Sequence, residues 1–380
     1  MTLPAAECAA RTRRAQALMA QHDLAALLLT TEPEVRYFTG FLTRFWESPT
    51  RPWFVIVPAS GDPIAVIPEI GAALMLTTWI SDIRTWISPD LDDDGVTLLA
   101  QTLQEVAQGD IGLPFGPESH LRMPLADYHR LTRLLAPQRL VSDHGILRQL
   151  RMVKSEAEIA RIAAACDIAG RAFARVPEVA QPGVPLAQVF RRFQVLCLEE
   201  GADWVPYLAG ASDPGGYADV ISPATEAPLA PGDVLMLDTG LVHAGYFCDF
   251  DRNYSVGPPA PPVREAHARL IDATRVGFEA AKPGATAAEL FSAMNCIVNP
   301  GGDVAGAGRL GHGLGMQLTE WPSLIPTDHT VLAPGMVLTL EPGIEVSPGK
   351  LLVHEENIVI REDGAHWLSP PAGPEMTVLT

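Results

Sequence analysis

The sequence has little positive charge and few cysteines, and these shortages exclude several classes of protein. Its 380 residues include 27 Lys and Arg against 45 Asp and Glu, which gives a formal net charge of -18. Binding to nucleic acid or to an anionic membrane surface needs clustered basic residues, so we expect neither partner. The five cysteines are scattered and form no C-x-x-C pair. This pattern predicts reduced thiols and excludes both a disulfide framework and a zinc ribbon.

Long apolar runs and a secretory leader are also missing. No stretch approaches the ~18 consecutive apolar residues of a membrane span. Three arginines at positions 11, 13 and 14 follow an alanine-rich start, and no long apolar segment comes after them. We therefore expect a cytoplasmic protein. With 47% hydrophobic and 19% charged residues the chain is of ordinary globular composition, and its length predicts two domains.

Residues 1–147 alternate between helix-like and strand-like segments and predict an α/β domain. Residues 5–22 and 96–107 have helical periodicity, whereas residues 24–29 and 110–113 are short apolar runs typical of strands. Two further apolar runs flank a turn sequence at residues 60–63 and predict a hairpin. No glycine-rich phosphate loop occurs in this part of the chain. The segment therefore predicts a fold but no chemistry.

Residues 155–380 predict a second domain of α+β type. Ser155 and Glu158 form a capping box, which predicts a long helix running to about residue 175. Further helices are expected near residues 263–282 and 287–298. Strand-like runs occupy residues 234–238, 246–256, 337–340 and 351–360. This mixed order of helices and strands predicts a domain built on a curved, mainly antiparallel sheet.

Two aspartates lie on or beside one of the strand-like regions. Asp238 ends the apolar run at residues 234–238, and Asp249 follows a turn sequence at residues 243–245. If this turn closes a hairpin, the two aspartates lie roughly opposite each other. A carboxylate on an apolar strand is costly to bury unless it is paired or binds a metal ion. Taken alone, either aspartate is better explained as a hydrogen-bonded carboxylate than as a metal ligand.

Three further residues extend the pattern towards a metal site. His312 lies among glycines in the run G-H-G-L-G, Glu341 ends an apolar strand, and Glu355 lies in a β-rich run. Four carboxylates and one imidazole, without a thiolate, favour Mn²⁺ or Co²⁺, with Zn²⁺ or Fe²⁺ as alternatives. Four carboxylates around one site would repel one another strongly without cations. We therefore expect two divalent ions.

The arrangement resembles a known family, the pita-bread metallopeptidases, which include methionine aminopeptidase, prolidase, aminopeptidase P and the metal-free creatinase. The matching segments are residues 237–240 (L-D-T-G), 245–252 (G-Y-F-C-D-F-D-R), 311–315 (G-H-G-L-G), 340–343 (L-E-P-G) and 355–357 (E-E-N). The first domain also resembles the creatinase/prolidase N-terminal domain, so that the resemblance covers nearly the whole chain. It implies a pita-bread catalytic domain after an α/β N-terminal domain.

The resemblance also implies roles for the five ligands. Asp238 would chelate one ion, His312 and Glu341 would bind the other, and Asp249 and Glu355 would bridge the two. Glu341 is in addition the implied catalytic group that handles the proton. The implied enzyme is a homodimeric hydrolase similar to Xaa-Pro dipeptidases and aminopeptidases, which cleaves a small peptide or amide through a metal-bridging hydroxide.

The chain departs from the family pattern on the substrate side. The family usually has a histidine before the glutamate of the segment that follows G-H-G, and here Thr319 stands in its place. A second family histidine has no counterpart in residues 217–228, and Val353 replaces an arginine. These departures leave the implied metal centre intact and weaken the expectation of Xaa-Pro cleavage.

Four residues are candidates to contact the substrate: Thr319, Asp251, Glu345 and Tyr217. Asp251 would share a strand face with Asp249, where it could hold a ligand, recognise a cationic group or form an ion pair with Arg252. Glu345 would share a face with the implied catalytic glutamate if that strand continues past residue 343. His354 should point away from the site, so we expect a structural role for it.

Three hypotheses follow from the sequence. The first is a dinuclear metallohydrolase similar to Xaa-Pro peptidases. The second is a non-peptidase enzyme of the same fold, such as a small-molecule amidase, an ectoine-type hydrolase or a metal-dependent lyase, which the missing histidines favour. The third is a metal-free binding module, against which the complete set of five ligands argues.

Overall fold

The computed structural model describes residues 4–48, 51–302 and 308–380. The chain divides into two compact units, Met1–Arg151 and Met152–Thr380. No helix among the described residues is long and apolar enough to cross a membrane.

The described residues of the first unit form one six-stranded sheet and six α-helices. The helices are α1 (Ala5–Gln21), α2 (Glu32–Thr39), α3 (Ala72–Met75), α4 (Val96–Val106), α5 (Leu125–Leu135) and α6 (Ile146–Met152). The strands are β1 (Leu24–Leu29), β2 (Phe54–Pro58), β3 (Ile64–Pro68), β4 (Asp82–Trp86), β5 (Asp110–Leu113) and β6 (Leu140–Ser142). Their order in the sheet is β4-β3-β2-β1-β5-β6.

The central strands of this sheet are apolar, and helices cover them. β1 reads L-A-A-L-L-L and pairs antiparallel with β2 and parallel with β5. A strand without polar alternation must be covered on both faces, and helices α4 and α5 contribute apolar residues to the core around it. β2 and β3 form the antiparallel hairpin that the turn at residues 60–63 predicts. The α/β prediction for this part of the chain is confirmed.

The described residues of the second unit form four α-helices and three sheets. The helices are α7 (Glu156–Ala174), α8 (Leu186–Glu199), α9 (Pro261–Ala280) and α10 (Ala287–Val298). α7 starts at the predicted capping box: the Glu158 N–H donates to Ser155 Oγ at 3.3 Å, and the Ser155 N–H donates to Glu158 Oε2 at 3.0 Å. Reciprocal bonds of this kind satisfy two donors that the helix start would otherwise leave open.

Three mainly antiparallel sheets complete the second unit and confirm the predicted α+β class. The strands are β7 (Trp204–Pro214), β8 (Asp233–His243), β9 (Tyr246–Phe247), β10 (Phe250–Val256), β11 (His312–Gly313), β12 (Glu320–Ser323), β13 (Val337–Leu340), β14 (Gly343–Ser347), β15 (Lys350–Val353), β16 (Glu356–Arg361), β17 (Gly364–Trp367) and β18 (Thr377–Leu379). The sheet orders are β18-β10-β8-β7, with β9 also paired to β8, then β12-β11-β13-β16-β17, and the pair β14-β15.

The turn between β8 and β9 sets the register of the first of these sheets. Ala244 and Gly245 have φ of 49° and 81°. Positive φ at both central residues is the requirement of a type I′ hairpin turn. The resulting register pairs Asp238 directly with Asp251, so that Asp249 lies two residues from the directly opposed position. The predicted hairpin therefore forms and brings Asp238 and Asp249 only roughly opposite each other, with an offset of two residues.

Two of the predicted strands are interrupted. The run at residues 246–256 divides into β9 and β10, with Cys248 and Asp249 between them. The run at residues 351–360 divides into β15 and β16, with His354 and Glu355 between them. At these breaks the N–H groups of Asp249 and Glu355 donate to side chains of other strands, Asn357 and Asp251, so that these backbone donors remain satisfied.

Candidate metal centre

Three of the five predicted ligands form one buried cluster. Oxygen and nitrogen atoms of Asp249, His312 and Glu355 all lie within 4.8 Å of one another. His312 Nε2 is 3.3 Å from Asp249 Oδ2 and 4.0 Å from Glu355 Oε1. Each of these three residues is only 3% exposed. Buried carboxylates beside an imidazole form a donor set that suits divalent metal ions.

Two glycines allow His312 to approach its neighbours. A Cβ atom on Gly313 would lie 2.0 Å from Trp321 O, and one on Gly311 would lie 2.3 Å from Thr339 O. The imidazole is oriented by its Nδ1, which lies 2.8 Å from Gly313 O. Because a carbonyl oxygen accepts only from a protonated nitrogen, the neutral ring presents its Nε2 lone pair to the carboxylates. A cation between Nε2 and the carboxylates would satisfy both sides.

The amide of Asn357 holds the backbone of Asp249. The Asp249 N–H donates to Asn357 Oδ1 at 2.9 Å, and Asn357 Nδ2 donates back to Asp249 O. Asn357 lies on β16 and is fully buried. The pair of bonds fixes the break between β9 and β10 against the second sheet, which places the Asp249 side chain in the cluster.

Asp251 and His354 hold Glu355 in a similar way. The Glu355 N–H donates to Asp251 Oδ1 at 3.0 Å. His354 Nδ1 lies 3.2 Å from the same oxygen, and His354 Nε2 lies 3.3 Å from Glu356 Oε1. Burial lowers the pKa of His354, but hydrogen bonds and charges of both carboxylates outweigh it and raise the pKa to about 9. The structural role expected of His354 is therefore that of an imidazolium between two carboxylates.

Asp238 and Glu341 lie at the edge of the cluster. The Tyr207 hydroxyl donates to Asp238 Oδ2 at 2.9 Å. Burial is the main cause that raises the pKa of Asp238 well above its ordinary value, and the charges of Asp249, Asp251 and Glu341 add to it. Glu341 is half-buried, and burial raises its pKa to about 7, while His312 lowers it and Asp249 raises it. Both residues therefore interact electrostatically with the cluster.

In and around the cluster, three buried carboxylate oxygens lack a donor among the described residues. They are Asp238 Oδ1, Asp251 Oδ2 and Glu355 Oε1. Burial, followed by the charges of neighbouring carboxylates, raises the pKa of Glu355 well above its ordinary value. Burying an unpaired carboxylate is costly, and several close together are costlier still. These residues therefore fit bound cations, and the donor set of oxygens with one imidazole suits divalent ions.

The structure places the four predicted substrate residues in different surroundings. Thr319 is half-buried before β12, and its neighbour Leu318 packs on Gly240 of β8, where a Cβ would be 2.1 Å from Leu318 Cδ1. Asp251 borders the cluster, as described above. Glu345 does not: β14 pairs with β15 rather than continuing β13, so Glu345 is exposed and accepts the Gly349 N–H at 2.9 Å.

Tyr217 is also outside the cluster. Its side chain is fully buried in the core beside β8. The hydroxyl donates to Asn253 Oδ1 at 3.1 Å and accepts the Val353 N–H at 2.8 Å. With both roles of the hydroxyl in use, Tyr217 connects two strands and does not present a polar group to a substrate. These contacts do not support the predicted role of Tyr217 in substrate binding, and the exposed position of Glu345 does not support that of Glu345.

Sequence reasoning missed Tyr207, Asn357 and the contacts of His354. Tyr207 belongs to β7, a strand that the apolar pattern does not indicate, because its residues are mostly half-buried rather than alternating. Asn357 follows two glutamates of a matching motif, and that position is the one signal that points to it. No local signal reveals the contact of His354 with Asp251, since 103 positions separate them.

Comparisons with known proteins agree with this architecture. Residues 160–362 match the model of metallopeptidase family M24, and residues 11–153 match that of the creatinase/prolidase N-terminal domain. The chain is 32% identical to the probable dipeptidase PepE of Mycobacterium tuberculosis over 361 residues, which are 94% of this chain and 93% of the relative.

Solved structures show the same fold over the whole length. The dipeptidase PepE from Mycobacterium ulcerans has a TM-score of 0.85 and 30% identity, with all of both chains covered. The prolidase from Pyrococcus horikoshii has a TM-score of 0.81 and 25% identity, with 96% of this chain and 99% of that chain covered. The predicted enzyme class, a metallohydrolase, is confirmed by these relatives and by the family, which implies divalent metal ions. One family model spans more than half of the chain and a relative above 30% identity spans nearly all of it, so the chain belongs to metallopeptidase family M24.

Proposed function

We propose that the protein is a peptidase that cleaves small peptides with two divalent metal ions held by Asp238, Asp249, His312, Glu341 and Glu355. The observation that carries the proposal is the buried cluster of His312 with carboxylates, in which several oxygens have no donor among the described residues. All five side chains belong to the second compact unit. The proposal includes the two domains expected from the sequence, residues 1–147 and residues 155–380. Every proposed ligand lies in the second domain.

The five side chains divide into two roles in this proposal. Asp249 and Glu355, at the centre of the cluster, would contact both ions, while Asp238 would hold one ion and His312 with Glu341 the other. Bound ions would lower the pKa of a water nucleophile and polarise the scissile carbonyl. Mn²⁺ or Co²⁺ suit this oxygen-rich set better than Zn²⁺ or Fe²⁺.

Glu341 is the proposed proton-handling residue. It is the least buried of the carboxylates in the site, and burial raises its pKa to about 7. Because it is the least buried carboxylate, a substrate that arrives from solvent reaches it most easily, and a carboxylate beside the reacting group can act as a general base. Its backbone is fixed by a bond from the Glu341 N–H to Leu310 O at 3.0 Å.

Dipeptides are the proposed substrates, since several relatives are named as dipeptidases. One observation favours a second candidate, hydrolysis of a small non-peptide amide. Thr319 stands where the family resemblance leads us to expect a histidine, and a threonine hydroxyl does not replace the acid–base function of an imidazole. We therefore propose weak activity on Xaa-Pro dipeptides and a preference for small substrates that carry a polar or cationic group.

Metal analysis tests the proposed centre. We expect about two divalent ions per chain after equilibration with Mn²⁺ or Co²⁺ and removal of free metal. Asp249→Ala and Glu355→Ala should each lose both ions, because each residue would contact both. Asp233→Asn is a matched control, since Asp233 is a buried aspartate of the same sheet whose Oδ2 accepts the Ala230 N–H at 2.9 Å. Full occupancy in either alanine variant would contradict the bridging assignment.

A substrate panel tests the specificity. Initial rates on Xaa-Pro dipeptides, other dipeptides and small cationic amides should be measured with the same metal-loaded sample. Loss of one acid–base or oxyanion contact usually costs about 10²-fold or more, so we expect Xaa-Pro rates below those of the best substrate by that factor. Xaa-Pro dipeptides as the fastest substrates would contradict the specificity and leave the metal centre untouched. From the sequence we also propose a cytoplasmic homodimer. Cell fractionation checks the location, and light scattering checks the oligomeric state.

A further inference from the structure

Asp251 faces the site from directly opposite Asp238. The register of β8 and β10 makes the two residues paired partners. Side chains of directly paired residues lie on the same face of a sheet, with Cβ atoms ~5 Å apart, and like charges in such pairs are destabilising. Asp251 is 1% exposed and Asp238 is 9% exposed. Two buried carboxylates at this separation need a cation, a donor or a shared proton between them.

The two oxygens of Asp251 have different surroundings. Oδ1 accepts the Glu355 N–H at 3.0 Å and lies 3.2 Å from His354 Nδ1. Oδ2 is buried and has no donor among the described residues. Across the strand pair, Asp238 Oδ1 is also buried without a donor among the described residues, while Asp238 Oδ2 accepts the bond from Tyr207. Each aspartate therefore has one oxygen fixed by protein donors and one oxygen without a donor.

Arg252 does not neutralise Asp251. The guanidinium donates to the backbone oxygens of Asp251 and Pro370, and its ion pair is with Glu356 at 3.1 Å. Glu356 also accepts bonds from Ser369 and from the Ala372 N–H. The ion pair between the side chains of Asp251 and Arg252, one of the alternatives that the sequence leaves open, is therefore absent among the described contacts, and His354 is the positively charged partner of Asp251.

We propose that Asp251 is a sixth side chain of the metal centre, whose Oδ2 helps to bind the ion held by Asp238. His354 acts as a positioning residue that fixes Oδ1 and leaves Oδ2 for the ion. The inference rests on the proposed dinuclear function. A bound metal ion fits Oδ2 better than a substrate ammonium group does, because Asp251 is more deeply buried than Asp238 or Glu341. A substrate reaches the site from solvent and meets the less buried groups first.

Calorimetric titration of the metal-free full-length protein with Mn²⁺ or Co²⁺ tests this inference without any substrate. We expect two binding events in the wild-type protein. Asp251→Asn should weaken one of them by about 10- to 100-fold, the scale found for groups that support a metal site, and leave the other nearly unchanged. Asp233→Asn is the matched control and should bind both ions with wild-type affinity.

A double variant guards against a folding defect in Asp251→Asn, where His354 would lose its charge partner. Asp251→Asn with His354→Leu removes both charges and retains an amide oxygen that can accept the Glu355 N–H. Circular dichroism should show a folded protein, and the same single binding event should be weakened. His354→Gln, which keeps a donor for Oδ1, should restore most of the affinity that His354→Leu alone loses.

The outcomes separate this inference from the proposed function. If the wild-type protein binds two ions and both Asp251 variants bind them with unchanged affinity, the role of Asp251 is overturned and the dinuclear centre stands. Unchanged metal affinity with a raised KM would also overturn it, because Oδ2 would then face the substrate. A wild-type protein that binds no divalent ion would overturn the proposed function itself, and the role of Asp251 with it.

Discussion

Replacing Asn357 with alanine should destabilise the protein and weaken metal binding at the same time. The fully buried Asn357 amide makes two bonds to the backbone of Asp249, one to its N–H at 2.9 Å and one to its carbonyl oxygen. It also accepts a bond from Cys166 Sγ at 3.2 Å. Truncation removes all of these contacts and leaves two backbone groups of a proposed metal ligand without a partner.

The size of the effect follows from these contacts. Each buried polar group left without a partner costs about 1–3 kcal/mol, so the two backbone groups of Asp249 together cost about 2–6 kcal/mol. This is a large part of the ~5–15 kcal/mol that stabilises a typical folded domain. Relaxation of the break between β9 and β10 would also displace the Asp249 carboxylate. Disturbing the support of a metal ligand lowers metal affinity by about 10- to 100-fold.

Urea denaturation of the metal-free protein and calorimetric titration with Mn²⁺ measure the two effects separately. Asn295→Ala serves as a control, because it removes a buried amide from helix α10, outside the cluster. It should leave metal affinity unchanged. If Asn357→Ala kept both the wild-type urea midpoint and the wild-type metal affinity, the argument that Asn357 fixes Asp249 would be refuted.

Two other predictions concern buried charges away from the ligands. Lys154 Nζ lies 3.1 Å from Glu320 Oε2, and both side chains are buried. In a urea titration, Lys154→Met should therefore lower the free energy of unfolding by about 3–5 kcal/mol, and adding Glu320→Gln should recover much of this loss. An unchanged urea midpoint in Lys154→Met would disprove the pairing. Burial, with a smaller effect of His354, lowers the pKa of His267 to about 4 from 6.5, so the neutral form contributes stability that is complete above pH 6.5 and lost between pH 6.5 and 4. The loss is ~3.5 kcal/mol at about 1.4 kcal/mol per pKa unit, and His267→Gln should flatten this part of the stability–pH curve; identical curves would contradict it.

Local patterns predict most regular elements of the protein because their causes are local. The apolar run of β1, the helical periodicity of α1 and α4 and the capping box of α7 all depend on neighbouring residues. Strands β4, β6 and β7 are harder to predict, since their residues are mostly half-buried and lack a clear alternation. Tyr207 was missed for this reason, although its hydroxyl contacts Asp238.

The breaks in the strands could not be predicted from the sequence. Asp249, Glu341 and Glu355 each occupy a gap between two strands, where the apolar pattern alone suggests continuous or simply ending strands. At two of the gaps, the freed backbone N–H groups bond to side chains more than 100 positions away in the chain, Asn357 for Asp249 and Asp251 for Glu355. Such long-range partners leave no trace in a local pattern.

The sequence by itself determined the two-part fold, the family and the identity of the candidate ligands, because motif residues and hydrophobic periodicity are properties of short segments. The tertiary structure decided which of these side chains come together and what supports them. It opposed Asp251 rather than Asp249 to Asp238, placed the His354 imidazole between two carboxylates, and buried Tyr217 in the core. Strand register and contacts between distant segments fix these relations, since a shift of two residues along one strand changes which carboxylates face each other.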